Sequence, residues 1–396
     1  MWLNSRSEDI HRGIQRGTSG LGKFKILWPQ IYPGNMKNFT MDYPVSNATL
    51  KEETTIPWAY YESTPYVYSE EEERLLRTVF PLRVFSLVIY SLACLLGTTG
   101  NGLVIYFTAF VMKRTVNVVW FLNLAIADFI FTFFLPLSIT YASLDFHWPF
   151  GKFMCKLNST ILFINLYASI FLLTMISIDR FISVVFPVWS QNHRTPKLAS
   201  FVAVAVWILA FIFSLPYFIF RDINDAKKDH ISCYNNFSED EKVAYARQKA
   251  TVIVRFIVSF FIPFIIIISC YSVILFRIQR NHMTTSNKPF KVALAVIISF
   301  FVCWFPYHVF SFLELSEYYD ESFHLYYITF VGIPIASSLV FINSCINPIL
   351  YVFMGRDFKQ KFHSSLRSIF ERAFSEESAP IDSKSKTKST SDSQLV

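Results

Sequence analysis

The sequence predicts an all-α fold, a bundle of seven membrane-crossing helices followed by a short amphipathic helix. Three observations predict it. The chain is 53% hydrophobic and only 16% charged over 396 residues, too apolar a balance for a water-soluble domain of that length. Its apolar residues gather into seven runs of about the 20 residues that a helix needs to cross the hydrocarbon core. The Lys and Arg residues between those runs fall in alternate connections, as a fixed orientation in a membrane requires.

The runs lie at about 82–111, 117–142, 153–186, 198–220, 250–277, 290–315 and 323–353. Helices are expected there because an irregular backbone in lipid leaves its N–H and C=O groups unpaired. Lys113 and Arg114 follow run 1, and Arg194 and Lys197 follow run 3. Arg277, Arg280, Lys288 and Lys291 join runs 5 and 6, and Arg356, Lys359 and Lys361 follow run 7, so these connections are assigned to the cytoplasm. Glu70 to Glu73, Asp145, Asp222, Asp225, Glu317, Asp320 and Glu321 occupy the opposite set. The N-terminus is therefore extracellular and the C-terminus cytoplasmic. Glycosylation sequons at Asn38, Asn47 and Asn236 all fall on the outer side. A fourth match at Asn158 lies inside run 3 and is set aside.

Four segments are expected: a mostly disordered extracellular arm at 1–80, the bundle at 81–354, the amphipathic cytoplasmic helix at 355–374 and a disordered Ser/Thr-rich tail at 375–396. Residues 1–35 lack a secretory apolar segment and carry several Arg and Lys, so Met36 or Met41 is read as a candidate start. In the arm, Tyr66 and Tyr68 beside Glu70 to Glu73 are candidates for sulfation. In the tail, Ser383, Ser385, Thr387, Ser389, Thr390, Ser391 and Ser393 are candidates for phosphorylation.

The net charge of +7 does not point to nucleic acid, because the basic residues are dispersed between apolar runs. No nucleophile and base set or phosphate loop marks an enzyme, and no repeat symmetry with interrupted runs marks a transporter. Among the six cysteines, Cys94, Cys270, Cys303 and Cys345 lie within apolar runs and read as buried thiols. Cys155 and Cys233 lie at the outer side, where an oxidising compartment can join them.

Polar residues inside the runs carry the functional reading, because an ionisable group in lipid is costly. Asp128 in run 2 is the candidate metal-ligating carboxylate, with Asn101, Asn165, Ser169, Asn343, Ser344 and Asn347 as possible partners. Such a set cages a small cation or forms an interhelical hydrogen-bond network with no ion. Asp179-Arg180-Phe181 ends run 3 at the inner face, where the carboxylate is placed to hold the adjacent guanidinium until a partner offers better acceptors. Pro216, Pro263, Pro306 and Pro348 are positioned to bend their helices.

Several motifs stand in order: Gly100-Asn101, Leu124 to Asp128, Trp148 to Gly151 with Cys155, and Asp179-Arg180-Phe181. Trp207, Pro263 with Tyr271, Phe300 to Pro306, and Asn347 to Tyr351 complete the series. Together they resemble the rhodopsin-like G-protein-coupled receptors over about 80–355. The resemblance implies a Cys155–Cys233 bridge and a sodium pocket at Asp128, Asn165, Ser169, Asn343 and Asn347. It also implies an activation switch built from Asp179, Arg180, Tyr271, Phe300, Trp304, Pro348 and Tyr351. No organic cofactor is implied, with sodium expected as an allosteric modulator.

Within the family, Pro187 to Arg194, Lys288 to Lys291 and Phe353 to Phe358 resemble the formyl-peptide and chemerin receptors of the chemoattractant branch. Phe163 replaces the formyl-peptide receptors' Asp, and Thr251 with Arg255 replaces their paired Arg, so the resemblance favours the chemerin receptors. Phe220 to Asp222, Ile231 to Ser238 and Leu313 to Leu315 agree with that. The implied ligand is an extracellular peptide or small protein met by Arg255, Phe163, Glu314, Tyr307 and Thr251. An anionic ligand group at Arg255, a guanidinium that snorkels to water and an internal pair with a carboxylate such as Glu314 are all open. The implied partners are an inhibitory-class heterotrimeric G protein, arrestin and membrane lipids, at the plasma membrane, in chemotaxis or inflammation. A formyl-peptide or related lipid receptor and a decoy receptor that internalises ligand without G-protein output are the alternatives.

Overall fold

The computed structural model describes residues 70–227, 230–280, 288–320 and 322–354. Asn38, Asn47, Tyr66, Tyr68, the segment 355–374 and the tail serines lie outside the described residues. Seven helices are long and apolar enough to cross a membrane: Glu73–Val111, Val116–Ser143, Gly151–Val185, Pro196–Phe220, Glu241–Arg280, Ala293–Ser316 and Phe323–Leu350. They are spans 1 to 7 below.

The first helix, α1 (Glu70–Tyr106), begins at Glu70 rather than near 81. Four consecutive Glu residues at its start complement the positive end of the helix dipole, and Glu73 pairs with Arg77 one turn on. That continues the helix beyond the apolar run. Helices α2 (Val116–Ser143) and α3 (Gly151–Val185) follow, then a short α4 (Pro187–His193) in the inner loop, then α5 (Pro196–Phe220). Thr115 and Thr195 cap α2 and α5 by accepting the N–H of Val118 and Leu198. Gly151 opens α3 at φ +74°, a conformation that an L side chain strains to adopt.

The loop after span 4 is an antiparallel hairpin, β1 (Arg221–Lys227) with β2 (His230–Asn235), pairing Arg221 with Asn235 and Ile223 with Cys233. Apolar-run reasoning does not see it, because these strands lie outside lipid and satisfy their backbone on each other. Cys155 is bridged to Cys233 with a Cα separation of 5.8 Å, which ties the hairpin to the outer end of span 3. Trp148 braces the same corner: its backbone N–H donates to Ile231 and its indole to the Gly151 carbonyl, both at 2.8 Å. Asn236 is exposed just beyond β2, as a glycan acceptor must be.

Span 5 is continuous from α6 (Glu241–Phe256) through a π turn (Ile257–Phe261) into α7 (Ile262–Arg280). Pro263 has no N–H to return to Ser259, and the Arg255 carbonyl accepts the Ser259 hydroxyl at 2.8 Å, so the backbone ladder loosens there. Helices α8 (Lys288–Ser316) and α9 (Phe323–Met354) carry spans 6 and 7. Span 3 lies at the centre, packed on spans 2, 4, 5 and 6, while span 7 closes against spans 1 and 6. One apolar core runs through the bundle, from Tyr90 and Leu124 to Trp304 and Phe341.

Candidate functional site: an outer cation, a buried carboxylate and an inner arginine pair

Arg255 of span 5 is fully buried. Its guanidinium lies 4.9 Å from the Tyr307 ring centre and 5.6 Å from that of Phe163, and Nη1 donates weakly to the Tyr307 hydroxyl at 3.4 Å. Phe163 is held flat against Tyr217, with ring centres 3.2 Å apart. Nε and Nη2 have no hydrogen-bond partner in the protein. Glu314 of span 6 is also buried, neither of its oxygens has a partner, and it makes no ion pair with Arg255. The internal pair left open by the sequence is thus not formed. Thr251, one turn outward of Arg255, spends its hydroxyl on the Arg247 carbonyl at 2.8 Å. Sequence reasoning missed Tyr217 and His308. His308 is buried with both ring nitrogens unpartnered and packs on Phe256 and Phe260.

Tyr307 connects this outer site to the switch. Its ring meets Trp304 edge-on at 5.7 Å, and Trp304 stacks on Phe300 at 5.8 Å. All three are buried.

Asp128 lies deeper and is fully buried. Its two oxygens accept the side-chain amides of Asn165 at 2.9 Å and Asn347 at 2.7 Å, joining spans 2, 3 and 7. The Ser169 hydroxyl and the side-chain carbonyls of Asn343 and Asn347 are buried without partners in the protein. Only the Asn347 oxygen belongs to a side chain that bonds Asp128, and with that carboxylate it offers hard oxygen atoms of the kind a small cation takes. Among the described residues no three His, Cys, Asp or Glu side chains gather as a metal cluster, so the single charge of Asp128 suits a monovalent ion. Asn101 holds the base of span 7 by donating to the Ser344 carbonyl at 2.8 Å. Gly100 admits Pro348 so closely that a side-chain Cβ there would lie 3.0 Å from the ring.

At the inner face, Asp179 does not hold Arg180. Its carboxylate takes Nε and Nη2 of Arg194, at 2.7 and 2.8 Å, and Arg180 donates instead to Asn117 at 2.9 Å. A bidentate fork from the loop outcompetes the adjacent guanidinium, which points along the helix toward span 2. Tyr271 lies beside Arg180 and Ser177. Tyr351 falls in the last turn of α9, where side chains are outside the described residues.

At the outer rim, Glu317 bonds to Thr329 of span 7, and burial pushes its carboxyl up to about 7. Arg83 of span 1 pairs with Asp145. Neither contact was legible in the sequence, because each depends on how two separate elements pack against one another.

Residues 100–351 match the family model of the seven-transmembrane receptors of the rhodopsin family. A chemerin-like receptor 1 of Rattus norvegicus is 46% identical over 350 residues, covering 85% of this chain and 92% of the relative. The chemerin-like receptor 1 of Homo sapiens is 47% identical over 310 residues, 74% of this chain and 81% of the relative. A C3a anaphylatoxin chemotactic receptor of Danio rerio is 45% identical over 300 residues, 76% and 80% of the two chains. Such receptors are multi-pass plasma-membrane proteins and not enzymes. The chain belongs to the rhodopsin family of seven-transmembrane G-protein-coupled receptors, where it resembles the chemerin-like members of the chemoattractant branch.

Proposed function

We propose that this receptor binds the carboxyl-terminal segment of an extracellular chemoattractant peptide or small protein of the chemerin type. Arg255 carries the reading. A guanidinium fully buried in a membrane bundle, with two nitrogens lacking a well-formed hydrogen bond and only aromatic rings and tyrosine hydroxyls around it, favours an anion. A peptide carboxylate supplies two charge-assisted hydrogen bonds in the planar geometry that the fork presents. Phe163, Tyr217 and Tyr307 form aromatic walls whose two tyrosine hydroxyls face Arg255, and Glu314 farther out accepts N–H groups of the same ligand. Engagement at Tyr307 reaches Trp304 directly.

Output passes to an inhibitory-class G protein through the short connection between spans 5 and 6, and to arrestin through the Ser/Thr-rich tail, as the family resemblance supports. Asp128, with Ser169, Asn343 and Asn347, would hold a sodium ion, which would stabilise the resting bundle and oppose agonist binding.

The test compares a carboxyl-terminal chemerin peptide with its amidated form on wild type and on Arg255→Ala. Amidation should weaken the wild type by roughly 1.5–3 kcal/mol, the range for a hydrogen bond to a charged group, and the variant far less. Equal amidation penalties in the two receptors would show that Arg255 serves the bundle and not the ligand.

A further inference from the structure

Side chains from spans 3, 4 and 6 converge on the guanidinium of Arg255 without bringing a negative charge to it. Arg255 is fully buried and makes no ion pair with a described carboxylate. Tyr167 of span 3, Tyr217 of span 4 and Tyr307 of span 6 are each buried, and all three act on it electrostatically. The Tyr307 oxygen accepts Nη1 at 3.4 Å, which leaves its O–H as a donor. The Tyr217 hydroxyl faces the guanidinium without a well-formed hydrogen bond to it, and Nε and Nη2 likewise lack one. Glu314 is near enough to feel the charge, yet it stays unpaired.

That environment is rich in donors and short of charge. Neutral hydroxyls offset only part of the cost of a buried cation, and a counter-ion offsets far more. The Tyr307 and Phe163 ring centres lie 4.9 and 5.6 Å from the guanidinium, and Phe163 is flat against Tyr217, so an occupant there is walled by rings. Sulfate and phosphate bring two charges against one cation, together with a hydration shell that is costly to remove. Chloride brings one charge, accepts N–H and O–H groups from any direction and is the abundant small anion outside the cell.

We propose that, in the receptor without agonist, a chloride ion sits against Nε and Nη2 of Arg255 with the Tyr217 and Tyr307 hydroxyls donating to it, and that the carboxylate of the arriving peptide displaces it. The displacement rests on the reading of Arg255 as the partner of that carboxylate. Exchanging one monovalent anion for another keeps the buried site neutral throughout. Chloride outside the cell then acts as a competitor of the agonist, separate from any cation at Asp128.

Thermal unfolding of the purified full-length receptor without agonist, in chloride or in sulfate, tests the ion, with sodium and ionic strength held fixed and choline as the balancing cation. Wild type should unfold at a higher temperature in chloride, with bromide as effective. An unspecific salt effect runs the other way, because sulfate is excluded from protein surfaces and stabilises folded states. R255Q should lose the preference for chloride. Y217F, which removes one hydroxyl, should shrink it and serves if R255Q does not fold. Binding of the free-carboxylate chemerin peptide to wild type should weaken about threefold from about 5 to about 150 mM chloride, as competition with an ion of Kd about 50 mM gives. No preference for chloride in wild type, or an undiminished preference in R255Q and Y217F, overturns the site. Stabilisation that depends on Arg255 while peptide affinity ignores chloride overturns the displacement. A full amidation penalty with no chloride effect removes the ion and leaves Arg255 as the partner of the carboxylate, so the two readings fail separately.

Discussion

Arg194 grips both oxygens of Asp179, at 2.7 and 2.8 Å, and its Nη2 also reaches Asn117 at 2.7 Å, the same oxygen that accepts Arg180. The loop arginine thus occupies the acid that neighbours Arg180 and shares its remaining acceptor. Arg180 is left with a neutral amide as its described hydrogen-bond partner.

The first prediction concerns that arrangement. Arg194→Gln frees Asp179 to hold Arg180, so agonist-stimulated nucleotide exchange on the G protein should fall by roughly tenfold in potency, the scale of one charge-assisted hydrogen bond. Asp179→Asn added to Arg194→Gln should recover most of the loss, because no carboxylate then competes for Arg180. Nucleotide exchange in receptor-containing membranes reads both. A double variant as impaired as the single one would show that Arg194 acts only by supporting the loop.

Sodium gives the second. If Asp128 and its oxygens hold the ion, agonist affinity in wild type falls severalfold from sodium-free buffer to about 150 mM sodium, with potassium keeping ionic strength fixed. Asp128→Asn removes the formal charge and should flatten that dependence. A sodium response retained in Asp128→Asn means that the carboxylate is a structural hydrogen-bond centre.

A third prediction follows from Glu317, whose carboxyl burial raises from 4.5 to about 7. Between those two values the folded receptor binds more protons here than the unfolded chain does, so stability declines as pH rises. The contribution is complete below about 4.5 and lost as pH passes about 7. Thermal unfolding at pH 5.5 and pH 8 should show a lower midpoint at pH 8, and Glu317→Gln should shrink the difference. A midpoint difference unchanged in Glu317→Gln assigns the pH response elsewhere.

The bridge supplies the fourth. Cys155 and Cys233 are both fully buried beside Tyr141 and Trp148, so the disulfide is part of a packed corner as well as a tether. Replacing either with Ser removes the tether and buries a lone polar group in that corner, with a loss of about 2–5 kcal/mol. Cell-surface labelling and ligand binding should both drop strongly. Normal binding in the two variants would mean that the hairpin holds its place through Trp148 alone.

The sequence by itself determined the spans, their orientation and the identity of the polar residues within them. Those follow from composition averaged over about 20 residues and from the cost of placing a charge in lipid, and neither needs a partner to be known. Asp128 was visible for that reason, as an expensive residue in an apolar run, whereas Arg255 and Glu314 were named through the family resemblance. Tertiary structure decided which partners they have. It left Arg255 and Glu314 unjoined, and it gave Asp179 to Arg194, where adjacency in the chain had pointed to Arg180. It also folded the loop after span 4 into a hairpin and met Glu317 with Thr329. A pairing depends on where two side chains end up across separately packed elements, and hydropathy carries no information on that placement.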